Sequence, residues 1–215
     1  MTTGKPSPAM QFATLGQQRH AGLLGMWIFL ATELLLFGGL FGAFAVARIQ
    51  HTEAFAEAAH HLDLMLGGIN TVLLLSSGLA MALAEQAVKS QRRRAAMMLI
   101  GATVLMGLVF LGIKGYEWYL EYHHNLMPVL GMAFEYPGAH GPQAEMFFNF
   151  YFTMTGLHAL HMAIGIGALV WAMARIRQWP DADTADRQVS TVGLYWAFVD
   201  VIWIFVFTSL YLMRG

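Results

Sequence analysis

Cysteine is absent from this 215-residue chain. Disulfides, thiolate metal sites and cysteine nucleophiles are therefore excluded. Charge is also scarce: Asp, Glu, Lys and Arg make up 12% of the residues, about half the share of a soluble domain. No basic patch points to nucleic acid as a partner. No cleavable signal peptide is evident, because the first twenty residues are polar and the first apolar segment is too long for a signal core. What the chain has in quantity is apolar surface. Hydrophobic residues make up 57% of it and the mean hydropathy is +0.53. The chain reads as an all-α integral membrane protein.

A helix needs roughly 20 apolar residues to cross a bilayer at about 1.5 Å rise per residue. Five runs meet this, at about residues 22–46, 64–84, 95–119, 146–173 and 189–213. They predict a bundle of five transmembrane helices forming a single membrane domain over 1–215. Met1 to His20, with Pro6 and Pro8, reads as a disordered or surface-lying leader. Gly38 and Gly42 form a small-xxx-small pair that lets another helix approach closely. Arg48 to Asp63 is a polar connection able to form a short interfacial helix. Gly67, Gly68, Asn70, Ser76, Ser77 and Gly78 mark the second span as a helix-packing span. The third ends in Lys114-Gly115-Tyr116-Glu117-Trp118-Tyr119, an aromatic and charged end suited to a membrane interface. A longer loop follows from about Glu121 to Ala144, and Trp179-Pro180-Asp181 opens a short acidic loop.

Five spans put the termini on opposite sides. The chain holds 12 Lys and Arg residues. Lys5, Arg19, Lys89, Arg92, Arg93, Arg94, Arg175, Arg177 and Arg187 fall on the N-terminal side, against Arg48, Lys114 and Arg214 on the other. Cytoplasmic loops carry the excess of positive charge, so the N-terminus is expected in the cytoplasm and the C-terminus outside. Glu53, Glu57, Glu121, Glu135 and Glu145 fall on the outer side.

Glu33, His158, His161 and Asp200 lie near mid-membrane, and Glu117 lies closer to the outer interface. A carboxylate in hydrocarbon costs several kcal/mol, so it takes a proton or finds a partner. His158 and His161 are three apart and share a helical face. The economical expectation is that both carboxyls and both imidazoles satisfy one another inside the bundle. Trp196, Asp200, Trp203 and Phe207 also share a face of the last span.

Several functions fit such groups. Haem held by two histidines draws one from each of two helices, whereas these two lie on one helix. Copper or zinc at His158, His161 and a carboxylate is geometrically allowed. Histidines that lock helix packing, or hold a lipid or water, are the simpler reading. A hydrolase using Ser76 or Ser77 with His158 lacks a nucleophile motif. A relay through Glu33, the histidines and Asp200 would make an independent proton-coupled membrane carrier, but the spans show no internal repeat and no paired broken helices. A packing subunit of a larger membrane complex suits the glycine and aromatic faces on every span.

The residues also carry a resemblance. Gly156-Leu157-His158-Ala159-Leu160-His161 resembles the G-[FTL]-H-[GA]-L-H run of subunit III of haem-copper terminal oxidases. Tyr195-Trp196-Ala197-Phe198-Val199-Asp200-Val201-Ile202-Trp203 is similar to that family's last-helix signature. Thr32-Glu33-Leu34, Asn70 to Gly78 and Gly115-Tyr116-Glu117-Trp118 extend the likeness in the family's order, over about residues 22 to 214. The resemblance implies a five-helix bacterial form in the cytoplasmic (inner) membrane. Such a chain carries no haem, copper or other redox centre. It packs on oxidase subunit I and other oxidase subunits, which hold the haem and copper, and it retains phospholipid and supports proton uptake. The whole complex, a cytochrome c or quinol oxidase of aerobic respiration, reduces oxygen to water and translocates protons. The resemblance further implies that Glu33 is the buried carboxylate that reacts with carbodiimides, that Arg175 holds a lipid headgroup, and that Glu117, His158, His161, Trp196, Asp200 and Trp203 are buried structural residues with no catalytic or metal role. A nitric-oxide-reductase accessory subunit of the same fold is the nearest alternative. Two departures stand out. Ala197 occupies a position where many members have His, which puts a polar contact of Asp200 in question. The mitochondrial type has seven helices, two more than here, so the lipid cleft those helices would wall is in question too.

Overall fold

The computed structural model describes residues 15–128, 134–176 and 182–213. Trp179-Pro180-Asp181, Arg177 and Arg214 lie outside the described residues, as do residues 1–14. Every regular element described is helical: α1 (Leu15–Gln50), α2 (Thr52–Ala59), α3 (Leu64–Lys89), α4 (Arg93–His123), α5 (Gly141–Arg175) and α6 (Ala182–Phe207). The last runs on into a π-helical turn, Thr208–Leu212. All but the short α2 are long and apolar enough to cross a membrane, which gives five candidate spans. α1 already begins at Leu15, inside the stretch read as a leader.

The helix ends have local causes. Asp63 caps α3 by accepting from the backbone N–H groups of Met65 (2.8 Å) and Leu66 (3.1 Å). Pro142 sits in the first turn of α5, where its missing N–H costs nothing. α3 and α4 both stop at a left-handed residue, Gln91 (φ 59°) and Asn125 (φ 54°). In each case the next N–H reaches back five residues, Arg92 to Ala87 (2.8 Å) and Leu126 to Glu121 (3.0 Å), which is the Schellman closure.

α3 and α4 pack on a seven-residue repeat. The buried residues of α4 are Ala96, Ile100, Thr103, Gly107, Phe110, Lys114, Glu117 and Glu121. Those of α3 include Gly67, Asn70, Leu74, Ser77, Met81, Ala84 and Val88. Alternating steps of three and four keep one seam against the partner, as in a coiled coil. α6 is the central helix and contacts α3, α5 and α1. Its stripe meets small residues of α3. Trp196 donates to Ser77 (3.0 Å) and Trp203 to Thr71 (3.0 Å). A Cβ on Gly67 would come within 2.9 Å of Phe207, and one on Gly78 within 2.6 Å of Asp200 Oδ2. The second span is thus a packing helix through Gly67, Ser77 and Gly78, whereas a Cβ on Gly68 would meet no neighbour.

α1 is peripheral and joins through the stripe Leu30, Phe37 and Phe44. A Cβ on Gly38 or Gly42 would meet nothing within 4 Å. Their small-xxx-small pair therefore serves no close approach within the described chain. The polar connection does form its short helix, α2, whose Phe55 packs on Phe44 and Phe147 with ring centroids 5.6 and 5.5 Å apart.

Candidate functional site

Polar side chains collect at three places in the bundle. The first joins α1 to α5. His161 Nδ1 lies 2.7 Å from the carbonyl of Leu157, and Nε2 lies 3.0 Å from Glu33 Oε2. A carbonyl only accepts, so Nδ1 is the donor to Leu157. Nε2, the other ring nitrogen, is then the atom that faces the Glu33 carboxyl. Phe37 covers the imidazole edge-on at 5.4 Å. The Tyr195 hydroxyl donates to the carbonyl of His161 (3.0 Å), bringing α6 into the same joint. Glu33 keeps 16% of its side chain exposed on the outside of the bundle.

The second place is a neutral layer between α3, α4 and α6. Ser77 donates to the Leu74 carbonyl (2.7 Å) and accepts from the Trp196 indole. Thr103 reaches the Ser77 carbonyl at 3.3 Å. The Ser76 hydroxyl is bound to the Val72 carbonyl (2.7 Å). Both serine hydroxyls are thus committed to their own helix, and neither is poised toward His158 as a nucleophile would be.

The third place lies near the end of the bundle away from the N-terminus, where α4, α5 and α6 meet. Lys114 is buried and its ammonium makes three bonds: to Glu117 Oε2 (2.9 Å), the Tyr151 hydroxyl (3.1 Å) and the Tyr211 hydroxyl (2.8 Å). Tyr211 in turn donates to Glu117 Oε1. The cation also lies 4.8 Å from the ring centre of Tyr151 and 5.6 Å from that of Trp203. The π-helical turn that ends α6 carries Tyr211 to this position. Single π turns often mark working parts of a helix.

His158 points away from His161. It is packed between Phe110 (5.5 Å) and Trp203 (5.2 Å), and neither ring nitrogen has a hydrogen-bond partner among the described residues. Asp200 faces Gly78 of α3 rather than an imidazole. The four-way arrangement expected of Glu33, Asp200, His158 and His161 is therefore only half formed: Glu33 meets His161, while Asp200 and His158 go to different neighbours. Ala197 is exposed, so a side chain there points out of the bundle rather than toward the packed face of Asp200. Glu117 lies inside the bundle, 2% exposed, and it is Lys114 (1% exposed) that the structure moves from the membrane interface to the interior. Among the described residues, no three His, Asp or Glu side chains are grouped to hold a metal ion.

Outside the spans, His140 Nδ1 meets Glu57 Oε2 at 3.2 Å and fastens the start of α5 to α2. Burial, and then the charge of Glu57, push the Tyr136 phenol beside them up to about 12.

Lys114, Tyr151 and Tyr211 were not singled out from the sequence. A signal was present: Lys114, Glu117 and Glu121 continue the seven-residue seam of Thr103, Gly107 and Phe110. These features define a multi-pass helical membrane protein whose buried polar groups join its helices to one another. The chain belongs to the cytochrome c oxidase subunit III family, whose pattern matches residues 14–214. It is 35% identical to cytochrome c oxidase subunit 3 of Alkalihalophilus pseudofirmus, over 88% of this chain and 85% of that one. Subunit 3 of the Thermostichus vulcanus cytochrome c oxidase is 34% identical, over 89% and 87%. Subunit 3 of the Pseudomonas aeruginosa cytochrome bo(3) ubiquinol oxidase is 32% identical, over 89% and 84%.

Proposed function

We propose that this chain is the non-redox subunit III of a bacterial haem-copper terminal oxidase, forming one membrane domain in the cytoplasmic membrane. The family match along nearly the whole chain carries this reading. Haem and copper belong to partner subunits, and this chain packs on subunit I, retains phospholipid and supports proton uptake. Relatives that serve cytochrome c and relatives that serve quinol match comparably, so the donor site lies with the partners.

The use of polar groups supports a structural role. Glu33, Glu117, His161, Trp196 and Trp203 each tie helices together or lie among packed rings. His158 and Asp200 fill close helix contacts. Arg175, at the exposed end of α5, stacks its guanidinium 5.9 Å from the Trp171 ring, a posture suited to a lipid phosphate at the interface. A cleft of about 340 Å³ between Leu40 of α1 and the first turns of α5 has an apolar wall at Met146 and Phe150, suited to an acyl chain. With Lys114 removed to the bundle interior, the loop charge bias grows, which favours a cytoplasmic N-terminus.

The test is purification through a tag on this chain in mild detergent, with a visible spectrum and mass spectrometry of what accompanies it. A larger haem-bearing subunit is expected, with no haem on this chain alone. Stable protein without haem-bearing partners would overturn the reading, and the partner's haem type and activity separate oxygen from nitric oxide chemistry.

A further inference from the structure

We propose that Glu121 is a buried carboxylic acid: a proton-binding site of this chain, sealed beside the Lys114–Glu117 ion pair. Lys114, Glu117 and Glu121 follow one another on the buried face of α4, and they are 1%, 2% and 4% exposed. One ammonium stands against two carboxyl groups. With all of them ionised, the cluster would carry a net negative charge inside an apolar bundle.

Lys114 has no donor left for Glu121. An ammonium has three N–H groups, and these go to Glu117, Tyr151 and Tyr211. The Tyr211 hydroxyl is given to Glu117 as well. Glu121 Oε2 is buried and has no hydrogen-bond partner among the described residues. The charges acting on it are those of Glu117 and Lys114 on its own helix. From the helices packed against this cluster, α5 brings the phenol of Tyr151 and α6 that of Tyr211. On the outer side, Leu126 closes over the last turn of α4, 3% exposed, with its N–H on the Glu121 carbonyl. An unpaired carboxylate in such a place costs far more than a neutral acid. A proton from water, bound as O–H on Glu121, brings the cluster to zero charge.

The site differs in kind from Glu33, whose carboxyl has an imidazole partner in His161. It goes beyond the oxidase reading and does not depend on it. Its location near the end of α4 puts a stored proton within a turn or two of the surface.

The experiment compares wild-type and Glu121→Gln protein, each in the complex in which this chain is purified, by infrared absorption in the carboxyl region. The amide has the shape of the neutral acid, so the variant is expected to assemble at wild-type yield. Its spectrum should lose one carboxylic C=O band, a band that shifts in wild type on exchange into heavy water. As pH rises from the range where a solvated glutamate ionises to the point where Glu121 itself gives up its proton, the wild type should lose more thermal stability than the variant, because its unfolded chain releases that proton first; above that point the two should run parallel. An unchanged carboxyl region overturns the proposal. Failure of the variant to assemble also overturns it, because the site then needs the charge. A fall in wild-type stability on adding a chelator, absent in the variant, would mean that a metal ion rather than a proton balances Glu121, and would overturn it too.

Discussion

The two polar layers of the bundle solve one problem differently. Between α3, α4 and α6, Ser77 and Thr103 lean on backbone carbonyls and Trp196 donates to the Ser77 hydroxyl, and all three are neutral. Each can lose a partner at the cost of one hydrogen bond. Near the far end, Lys114 and Glu117 are held by charge with Tyr151 and Tyr211 bonded to them, and the removal of either ion leaves the other unpaired in an apolar place. A neutral layer degrades by steps, whereas a charged one holds together or fails. The comparison teaches where this fold is brittle.

The largest effect should come from Lys114→Met. It leaves the Glu117 carboxylate buried without its cation and should cost about 3–5 kcal/mol, read by chemical unfolding in detergent micelles. Adding Glu117→Gln should recover more than half of that loss, since Tyr211 can still donate to the amide oxygen. If the double variant is no better than the single one, the cluster is not organised by its charge. In the neutral layer, Gly107→Ala places a Cβ 2.9 Å from the Trp196 ring, and overpacking there should cost about 1–3 kcal/mol. Ser77→Ala, which orphans the Trp196 N–H, should cost about 1–2 kcal/mol. Losses in this layer as large as that of Lys114→Met would erase the distinction between the two.

Smaller still is the edge joint of α1. Glu33→Gln keeps a hydrogen-bonding group opposite His161 and should cost about 0.5–1 kcal/mol, in the range of hydrogen bonds between membrane helices. A hydrophobic carbodiimide should modify Glu33, which is partly exposed, and spare Glu117, as peptide mass spectrometry would show. Smallest is Glu57→Gln outside the membrane. It should alter stability by no more than about 1 kcal/mol. It should also let the Tyr136 phenol ionise at lower pH than its present value of about 12, seen in an ultraviolet titration against Tyr136→Phe.

Much of the frame was legible beforehand because a membrane span is a matter of length and hydropathy. The short helix after the first span was legible from its alanines and glutamates. The tie between Glu33 and His161 was half legible: both lie deep in apolar runs, and each needed a partner. The number of polar groups in the sequence places Asp200 and His158 in that same circle, but a balance of numbers carries no direction. Asp200 sits on the face that α6 turns to α3, where Gly78 leaves it room, and His158 is turned by its place on α5 toward Phe110 and Trp203. Lys114 reads wrongly for a related reason. A Lys among Tyr and Trp at the end of an apolar run looks like an interface, and only the seam along α4 points it inward.

By itself the sequence determined the class of the molecule: helices, five of them long enough to span, few charges, and motifs that place the chain in its family. These follow from local composition and order, which the chain carries without folding. Only the tertiary structure decided which polar group meets which. A helix turns by about 100° per residue, so a small change in the direction of its buried face selects a different neighbour. The pairing of Lys114 with Tyr151 and Tyr211, 37 and 97 residues away, exists only once three helices have closed around it.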